Sequence, residues 1–581
     1  MGFFKKYIQT YGRLFCLAVV FLTIETLCDL MQPTIMSKIV DIGVAGGKMD
    51  YVLRMGGLML FITAVGATAA SIRNVISSNV SQNFGAGLRA DLYRKTQTLS
   101  FKDIDRFDRA SLITRLTNDV SQVQMFVNGL MRVFVKAPLL CAGSLIMAIR
   151  LNPHLAVVLA IVVPIVGLLI IGNMRIGFPF FINVQKALDR VNRAMREYLS
   201  GVRVVKAFNR FDYEVDKFNE ANKEFQLKST TAMRVMAVFS PGIALTVNFG
   251  IIAVLWLGGL GVSTGQMQVG HIIAFINYMT QILFSLMLIS MVFNMFVRAK
   301  ASAGRIDEVF AVQNYMTWGN EFVGCKEIKG RIDFEHVSFS FERGAGEPII
   351  KDVTLTCMPG ETVGIIGSTG SGKSSLVSLI PRFYDAASGC VKVDGQDVTK
   401  TDPKKLREKI AIVPQKSILF TGTILDNLRW GKDNATQDEI EEAARVAQAH
   451  DFISSFPEGY NTRLGQGGVN LSGGQKQRIS IARALIRQPE ILILDDATSA
   501  VDAATESRIK ESLKTYARGL TCLVIAQRIT SVMDADKIVV LDNGEIVSIG
   551  RHAELMKSCE VYREIFQSQL GREVAHDVPT E

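Results

Sequence analysis

Eight residues, Gly367-Ser368-Thr369-Gly370-Ser371-Gly372-Lys373-Ser374, have the types and spacing of a phosphate cradle. Glycines let backbone N–H groups converge on an anion, and a helix start behind them adds the positive end of its dipole. Lys373 is placed to reach the outer phosphates of a nucleotide, and the Ser374 hydroxyl to hold Mg²⁺. A second constellation is Ile491-Leu492-Ile493-Leu494-Asp495-Asp496, an apolar run that ends in carboxylates. Asp495 at the end of such a run is suited to hold Mg²⁺, directly or through water. A third is Leu471-Ser472-Gly473-Gly474-Gln475, a Ser-Gly-Gly turn followed by helical sequence, and so a second anion cradle. One ATP cannot fill both cradles of a single domain if they lie apart. Two domains placed head to tail would each complete the other's site.

The elements that must position these residues are legible around them. Thr362-Val363-Gly364-Ile365-Ile366 reads as a buried strand entering the first cradle, and Ser375-Leu376-Val377-Ser378-Leu379-Ile380 as the helix leaving it. From about Gly330 onward, strand-like runs (Ile410–Val413, Ile491–Leu494, Thr521–Ile525, Lys537–Leu541) alternate with helical ones. That alternation predicts an α/β domain with a mainly parallel sheet.

The first half of the chain is different. The 581 residues exceed one core, so several domains are expected. The chain is 48% hydrophobic and its mean hydropathy of +0.24 is high for a wholly soluble protein. The apolar excess lies before about Arg298. Crossing about 30 Å of hydrocarbon takes roughly 20 apolar residues in a helix. Six candidate spans fit: Leu14–Met36, Met55–Ile76, Leu130–Ile149, Leu155–Gly172, Ile243–Val262 and Ile272–Val297. No cleavable signal peptide is expected, because the first apolar stretch is long and carries Glu25 and Asp29. The net charge of +9 is spread beside the spans, which favours membrane topology over nucleic-acid binding. The two long links, near Ser77–Gly129 and Asn173–Gly242, are rich in Lys and Arg and are expected on the cytosolic side. With an even number of spans, both termini follow them there. The eight scattered cysteines form no CxxC pair and read as reduced thiols.

Each long link has helical apolar spacing, so the spans are expected to continue into the cytosol. Each also holds a break suited to a short cross-helix, near Ser100–Phe107 and Phe208–Glu214, with aromatics interleaved among charges in a manner suited to docking. Glu25 and Asp29 inside a span are expensive and are expected to pair or to face a polar cavity. Asp41, just beyond that span, is expected in solvent. Phe284, Met287, Leu288, Met291, Phe293, Met295 and Phe296 form a stripe suited to lipid, core or an adaptable apolar pocket.

This ordered set resembles an ABC exporter half-transporter over nearly the whole chain. The resemblance implies a polytopic α-helical membrane domain of six transmembrane helices over 1–300, with coupling helices near 100–107 and 208–214. A linker (301–329), an α/β P-loop nucleotide-binding domain (330–570) and a C-terminal tail (571–581) would follow. It makes Gly367, Ser368, Thr369, Gly370, Ser371, Gly372, Lys373 and Ser374 the Walker A loop, with Ser375 beside it, and Leu471, Ser472, Gly473, Gly474 and Gln475 the signature. Gln415 in Val413-Pro414-Gln415 matches the Q-loop and joins Ser374 and Asp495 at Mg²⁺. Asp495 matches Walker B, Asp502 the D-loop, and Phe341 the aromatic that stacks on adenine, usually Tyr in the family. ATP and Mg²⁺ are the implied cofactors, and the lipid bilayer and a second half-transporter the implied partners.

Two positions depart from the family pattern. Asp496 stands where the family has its catalytic Glu, and Gln527 where it has the switch-loop His. Asp is one methylene shorter, about 1.5 Å of reach, and a misplacement near 1 Å can cost about 10²-fold. Gln can hydrogen-bond a phosphate but cannot become an imidazolium. Gly465-Gln466-Gly467-Gly468 also occupies a stretch where exporters often carry a Glu. The pair of changes resembles the degenerate-site subunit of bacterial heterodimeric multidrug exporters. The function expected from that likeness is ATP-driven export of amphipathic small molecules across the cytoplasmic membrane. Peptide, lipid or metabolite export, a homodimer with slow turnover, and a non-transporting regulator are the alternatives. A leader-processing peptide exporter is disfavoured, since no protease domain fits before Leu14.

Overall fold

The computed structural model describes residues 3–312, 329–341, 347–516 and 519–570. Most of the expected linker and the whole tail 571–581 lie outside the described residues. The chain forms two units, one of Met1–Gln97 with Asp108–Val312, the other of Thr98–Phe107 with Gln313–Glu581.

Among the described residues, the first unit contains six long apolar helices: Lys6–Val44, Met49–Gln97, Arg109–Leu151, Pro153–Ala207, Phe211–Ser263 and Val269–Ala311. Each expected span lies inside one of them. The fourth has 55 residues, which at 1.5 Å per residue is about 80 Å, far longer than the hydrocarbon layer of about 30 Å. Its start is specified locally: Asn152 accepts hydrogen bonds from the backbone N–H of His154 (2.9 Å) and Leu155 (3.1 Å), and Pro153 takes the first helical position. Tyr278, fully buried, donates to the Leu30 carbonyl at 2.7 Å and lies 2.6 Å from the Thr34 hydroxyl, tying the last helix to the first.

The carboxylates inside the first helix are paired. Glu25 lies 3.2 Å from Arg73 Nε and 2.6 Å from Lys136 Nζ, and Lys136 also reaches Asp29 at 3.0 Å. The expected pairing of the two carboxylates thus takes the form of one network across three helices. Asp41 differs from expectation. Its side chain is 4% exposed and accepts from the Gly270 backbone N–H at 2.6 Å and the Ser37 hydroxyl at 3.0 Å. The helix that starts at Val269 leaves its first N–H groups unsatisfied, and Asp41 supplies the acceptor from a distant part of the chain.

In the second unit, a six-stranded sheet has the spatial order Glu545–Gly550, Lys537–Asp542, Thr362–Gly367, Thr521–Ile525, Ile491–Asp495, Ile410–Val413. All neighbours are parallel except the first pair. Ile491 and Ile493 face one core while Leu492 and Leu494 face another. A strand buried on both faces reads as an unbroken apolar run, which is why it was visible in the sequence. A second, antiparallel sheet (Ile350–Cys357, Ile332–Phe339, Ser388–Val393, Gln396–Asp397) packs its apolar face into the core that Val363, Ile365 and Ile493 share.

The short helix Phe101–Phe107 belongs to this unit. Ser100 and Asp103 cap it reciprocally: the Ser100 hydroxyl donates to Asp103 at 2.6 Å and accepts from the Asp103 N–H at 3.2 Å. The second break takes another form. It falls at Phe208–Arg210, and Phe211–Glu214 are the first turn of the next long helix, where Asp212 and Glu214 suit the positive dipole end. Phe208, Phe211 and Tyr213 are exposed there.

Candidate functional site

The parallel strands end together. Ile525 pairs with both Ile365 and Asp495, and Val413 pairs with Leu494. Gly367, Asp495, Asp496, Gln527 and Gln415 therefore all lie at, or within two residues of, the carboxyl ends of adjacent strands. That edge is where open α/β sheets bind ligands.

The loop from Gly367 to Ser374 requires its glycines. Gly370 and Gly372 have φ of +88° and +95°, and a Cβ on Gly367 would meet the Leu541 carbonyl oxygen at 1.9 Å. Around Gly370 the space for a Cβ is open. Lys373, 8% exposed, bends back over the loop and donates to the carbonyls of Gly367 (2.9 Å) and Ser368 (2.7 Å) and to the Ser371 hydroxyl (3.3 Å). Burial lowers the pKa of its ammonium, against the opposing pull of Asp495 and Asp496. Ser368 is held by Asp542 at 2.9 Å. Thr369 sits at the exposed tip and Ser375 in the first turn of the helix Lys373–Ser378.

Ser374 donates its hydroxyl hydrogen bond to Asp495 Oδ1 at 2.8 Å. Burial raises the Asp495 pKa above the usual carboxylate range, the Ser374 bond and Lys373 acting against it and Asp496 adding to it. A hydroxyl and a carboxylate in contact, both hard oxygen donors, next to an anion cradle, fit a Mg²⁺–nucleotide. Asp496 adopts φ +49°, and its backbone N–H bonds the Ile525 carbonyl at 2.9 Å. Gln415 and Gln527 are exposed. The Gln527 carbonyl is held by Gln569 Nε2 at 2.7 Å, and Gln569 also accepts from the Ile529 N–H at 2.8 Å. Phe341 is 45% exposed, with its ring against Phe339 at 5.0 Å and Tyr384 at 5.3 Å.

The second cradle is built separately. Ser472 caps the helix Gly473–Ile486, accepting from the Gln475 N–H at 3.3 Å while Gln475 Oε1 accepts from the Ser472 N–H at 2.9 Å. Leu471 is buried beneath the turn. A Cβ on Gly474 would lie 2.8 Å from the Ala500 carbonyl oxygen, so this turn rests directly on Ser499–Asp502. Asp502 accepts from the Thr505 N–H at 2.9 Å and starts the next helix. No hydrogen bond among the described residues joins this cradle to the first. Gln477 ties it to the neighbouring loop, donating to Ser499 at 3.0 Å and accepting from the Ala500 N–H at 2.9 Å. Sequence reasoning missed Gln477 and Gln569, although Gln477 lies only two residues beyond the cradle. In Gly465–Gly468, Gly467 and Gly468 have φ of +65° and +64°, and consecutive left-handed residues favour glycine over Glu.

A helical membrane bundle and a phosphate-loop ATPase domain on one chain define an ATP-driven membrane transporter. Residues 15–287 match the ABC transporter transmembrane region, and residues 350–499 match ABC transporter. The chain is 40% identical over 98% of its length, and 98% of the relative's, to an uncharacterized ABC transporter ATP-binding protein of Bacillus subtilis (strain 168). A fatty acid ABC transporter ATP-binding/permease protein of Mycobacterium bovis is 35% identical over 82% of this chain and 75% of its own. In fold, the chain is similar to a bacterial Atm1-family ABC exporter solved with ATP bound, with a TM-score of 0.79, 24% identity, and coverage of 98% of this chain and 99% of that one. The chain belongs to the ABC transporter family, as a half-transporter that pairs with a second half to hydrolyse ATP and move its cargo.

Proposed function

We propose that this chain is the ATP-holding subunit of a heterodimeric exporter in the cytoplasmic membrane, moving amphipathic small molecules outward. The observation that carries this reading is the site's asymmetry. Lys373, Ser374 and Asp495 are assembled to hold nucleotide, while Asp496 and Gln527 replace the longer carboxylate and the imidazole that cleavage uses.

In this reading Gly367–Ser374 wraps the phosphates, Ser375 flanks them, and Phe341 stacks on adenine. Ser374, Asp495 and Gln415 hold Mg²⁺, which neutralises phosphate charge when bound. Lys373 exchanges its carbonyl bonds for phosphate oxygens. Asp496 reaches too short to take a proton from an attacking water. Ser472, Gly473 and Gly474, with Leu471 and Gln475 shaping the turn and Asp502 the loop beneath, face the partner's phosphate loop and complete the competent site there. Two bound nucleotides draw the domains together, the short cytosolic helices carry that motion, and the cavity opens outward. The basic links and both termini are cytosolic.

For the cargo, support comes from a cavity of about 360 Å³ in the membrane unit, lined by Phe126, Phe134, Ala137, Pro138, Ile289, Val292, Phe293 and Phe296. The name of the Mycobacterium bovis relative points the same way, to molecules with a long apolar part. The test is ATP turnover and vesicle transport by the purified chain alone and with a partner half-transporter that carries Glu and His at the two positions. Turnover restored only by the partner supports the reading. Vigorous turnover by the chain alone overturns it.

A further inference from the structure

We propose that Tyr384 is a positioning residue that couples base stacking on Phe341 to the seating of the helix Phe101–Phe107. The inference rests on Phe341 being the adenine platform, as proposed above, and adds a route by which an occupied platform is felt elsewhere in the same unit.

The rings form a continuous series. Phe339 is fully buried and meets Phe341 nearly at right angles at 5.0 Å. Tyr384 packs edge-on against Phe341 at 5.3 Å, with an interplanar angle of 84°. On its other side, Tyr384 lies 6.1 Å from Phe101, and Phe101 lies 4.7 Å from Phe383. The Tyr384 hydroxyl donates to Asp105 Oδ2 at 3.2 Å. One side chain thus touches the platform ring, an aromatic anchor of the helix and a carboxylate of that helix. Burial, followed by Asp105, raises the phenol to about 12, so it stays a donor across physiological pH.

The segment that carries Tyr384 is anchored through its neighbours. Arg382 is 3% exposed and binds Asp385 at 2.6 Å and the Thr399 carbonyl at 3.0 Å. Arg407 donates to the Pro381 and Arg382 carbonyls at 3.0 and 3.1 Å and stands over the Phe383 ring at 5.6 Å. A fixed backbone leaves ring orientation as the movable part. Phe341, by contrast, is 45% exposed. A stacked base restricts that ring, the restricted ring restricts Tyr384, and Tyr384 then holds Phe101 and Asp105 in one arrangement. Aromatic pairs of this kind are individually modest, but the effect is reciprocal, so the seated helix tightens base binding by the same factor that the base tightens the helix.

Hydrogen-exchange mass spectrometry on the full chain in nanodiscs tests this, with and without MgATP well above each variant's Kd. In the wild type, MgATP slows exchange in 98–107 and at the phosphate loop 367–374. Phe341→Ala weakens MgATP binding about tenfold, within the range of one base–aromatic stack; unchanged affinity would instead refute the adenine platform itself. With that affinity loss in hand, Tyr384→Leu at saturating MgATP reduces the protection of 98–107 at least about fivefold, the low end of ordinary coupling between sites, and keeps the response at 367–374. Protection of 98–107 that survives Tyr384→Leu, or that disappears together with the response at 367–374, overturns the proposal. If Tyr384→Leu does not fold, Tyr384→Phe keeps the ring and removes only the bond to Asp105; its 98–107 protection falls part-way, and wild-type protection there overturns the hydroxyl's role.

Discussion

In the proposed reading, Lys373 equips the nucleotide site to hold ATP while Asp496 leaves it unable to cut. Lys373 is buried among three acceptors of its own loop, so its ammonium is aimed where phosphate oxygens would take over those bonds. Hydrogen bonds to charged groups are worth about 1.5–3 kcal/mol. Lys373→Ala should therefore weaken MgATP binding by at least about tenfold in a fluorescent-nucleotide titration, with the fold intact by circular dichroism. An unaltered affinity would remove the loop from the nucleotide site. For Asp496 the opposite holds. A working general base is worth about 10²–10⁴ in rate. If Asp496 is too short to act, Asp496→Asn changes ATP turnover of the transporter by less than about twofold. A hundredfold loss would make Asp496 the operative base and the site a competent one.

At the scale of elements, the buried charges tie three helices together. Glu25, Arg73 and Lys136 come from the first, second and third long helices, and each is mostly buried. Removing one partner of a buried ion pair costs about 3–5 kcal/mol, because the remaining charge is stranded. Glu25→Ala should lower the unfolding temperature of the protein in detergent sharply, and adding Lys136→Met should recover part of the loss. A Glu25→Ala protein as stable as wild type would mean the network contributes nothing to holding these helices. That Glu25 and Asp29 needed partners was legible in the sequence, from the expense of a carboxylate in a span. Which partners they found was not, because Arg73 and Lys136 are fixed only by helix packing. Asp41 makes the same point: its acceptor role depends on Gly270, which no local pattern connects to it. Local signals sufficed where strand, glycine loop and helix follow one another, as at Thr362–Ser378. They failed where the signal is charge on a long helix, so the spans were seen and the helix extensions beyond them were not bounded. Gln477 and Gln569 escaped because amides that clamp loops carry no motif.

On the scale of the whole molecule, the proposed function assigns the two cradles to different reactions. Within one chain the Ser472 turn has no hydrogen bond to the loop Gly367–Ser374 among the described residues, and its own groups are spent on capping the helix that follows. In the proposed reading the Ser472 cradle serves the second half of the transporter. If the partner carries the complete catalytic set, the contribution of Ser472 is read out on the partner's ATP. Ser472→Ala should then leave MgATP affinity of the isolated chain within about twofold, since loss of one cap costs only about 1 kcal/mol of helix stability. In the assembled pair, the same substitution should reduce turnover by at least about tenfold, the effect of losing a preorganised donor at developing charge. Lys373→Ala in this chain gives the complementary pattern, with nucleotide affinity lost here and the partner's chemistry retained once its own ATP is bound. If Ser472→Ala weakens nucleotide binding in the isolated chain as strongly as Lys373→Ala does, both cradles act on one ATP and the head-to-tail arrangement is wrong. If Ser472→Ala leaves the pair's turnover intact, hydrolysis does not pass through this chain's signature, and the division into a holding site and a cutting site falls with it.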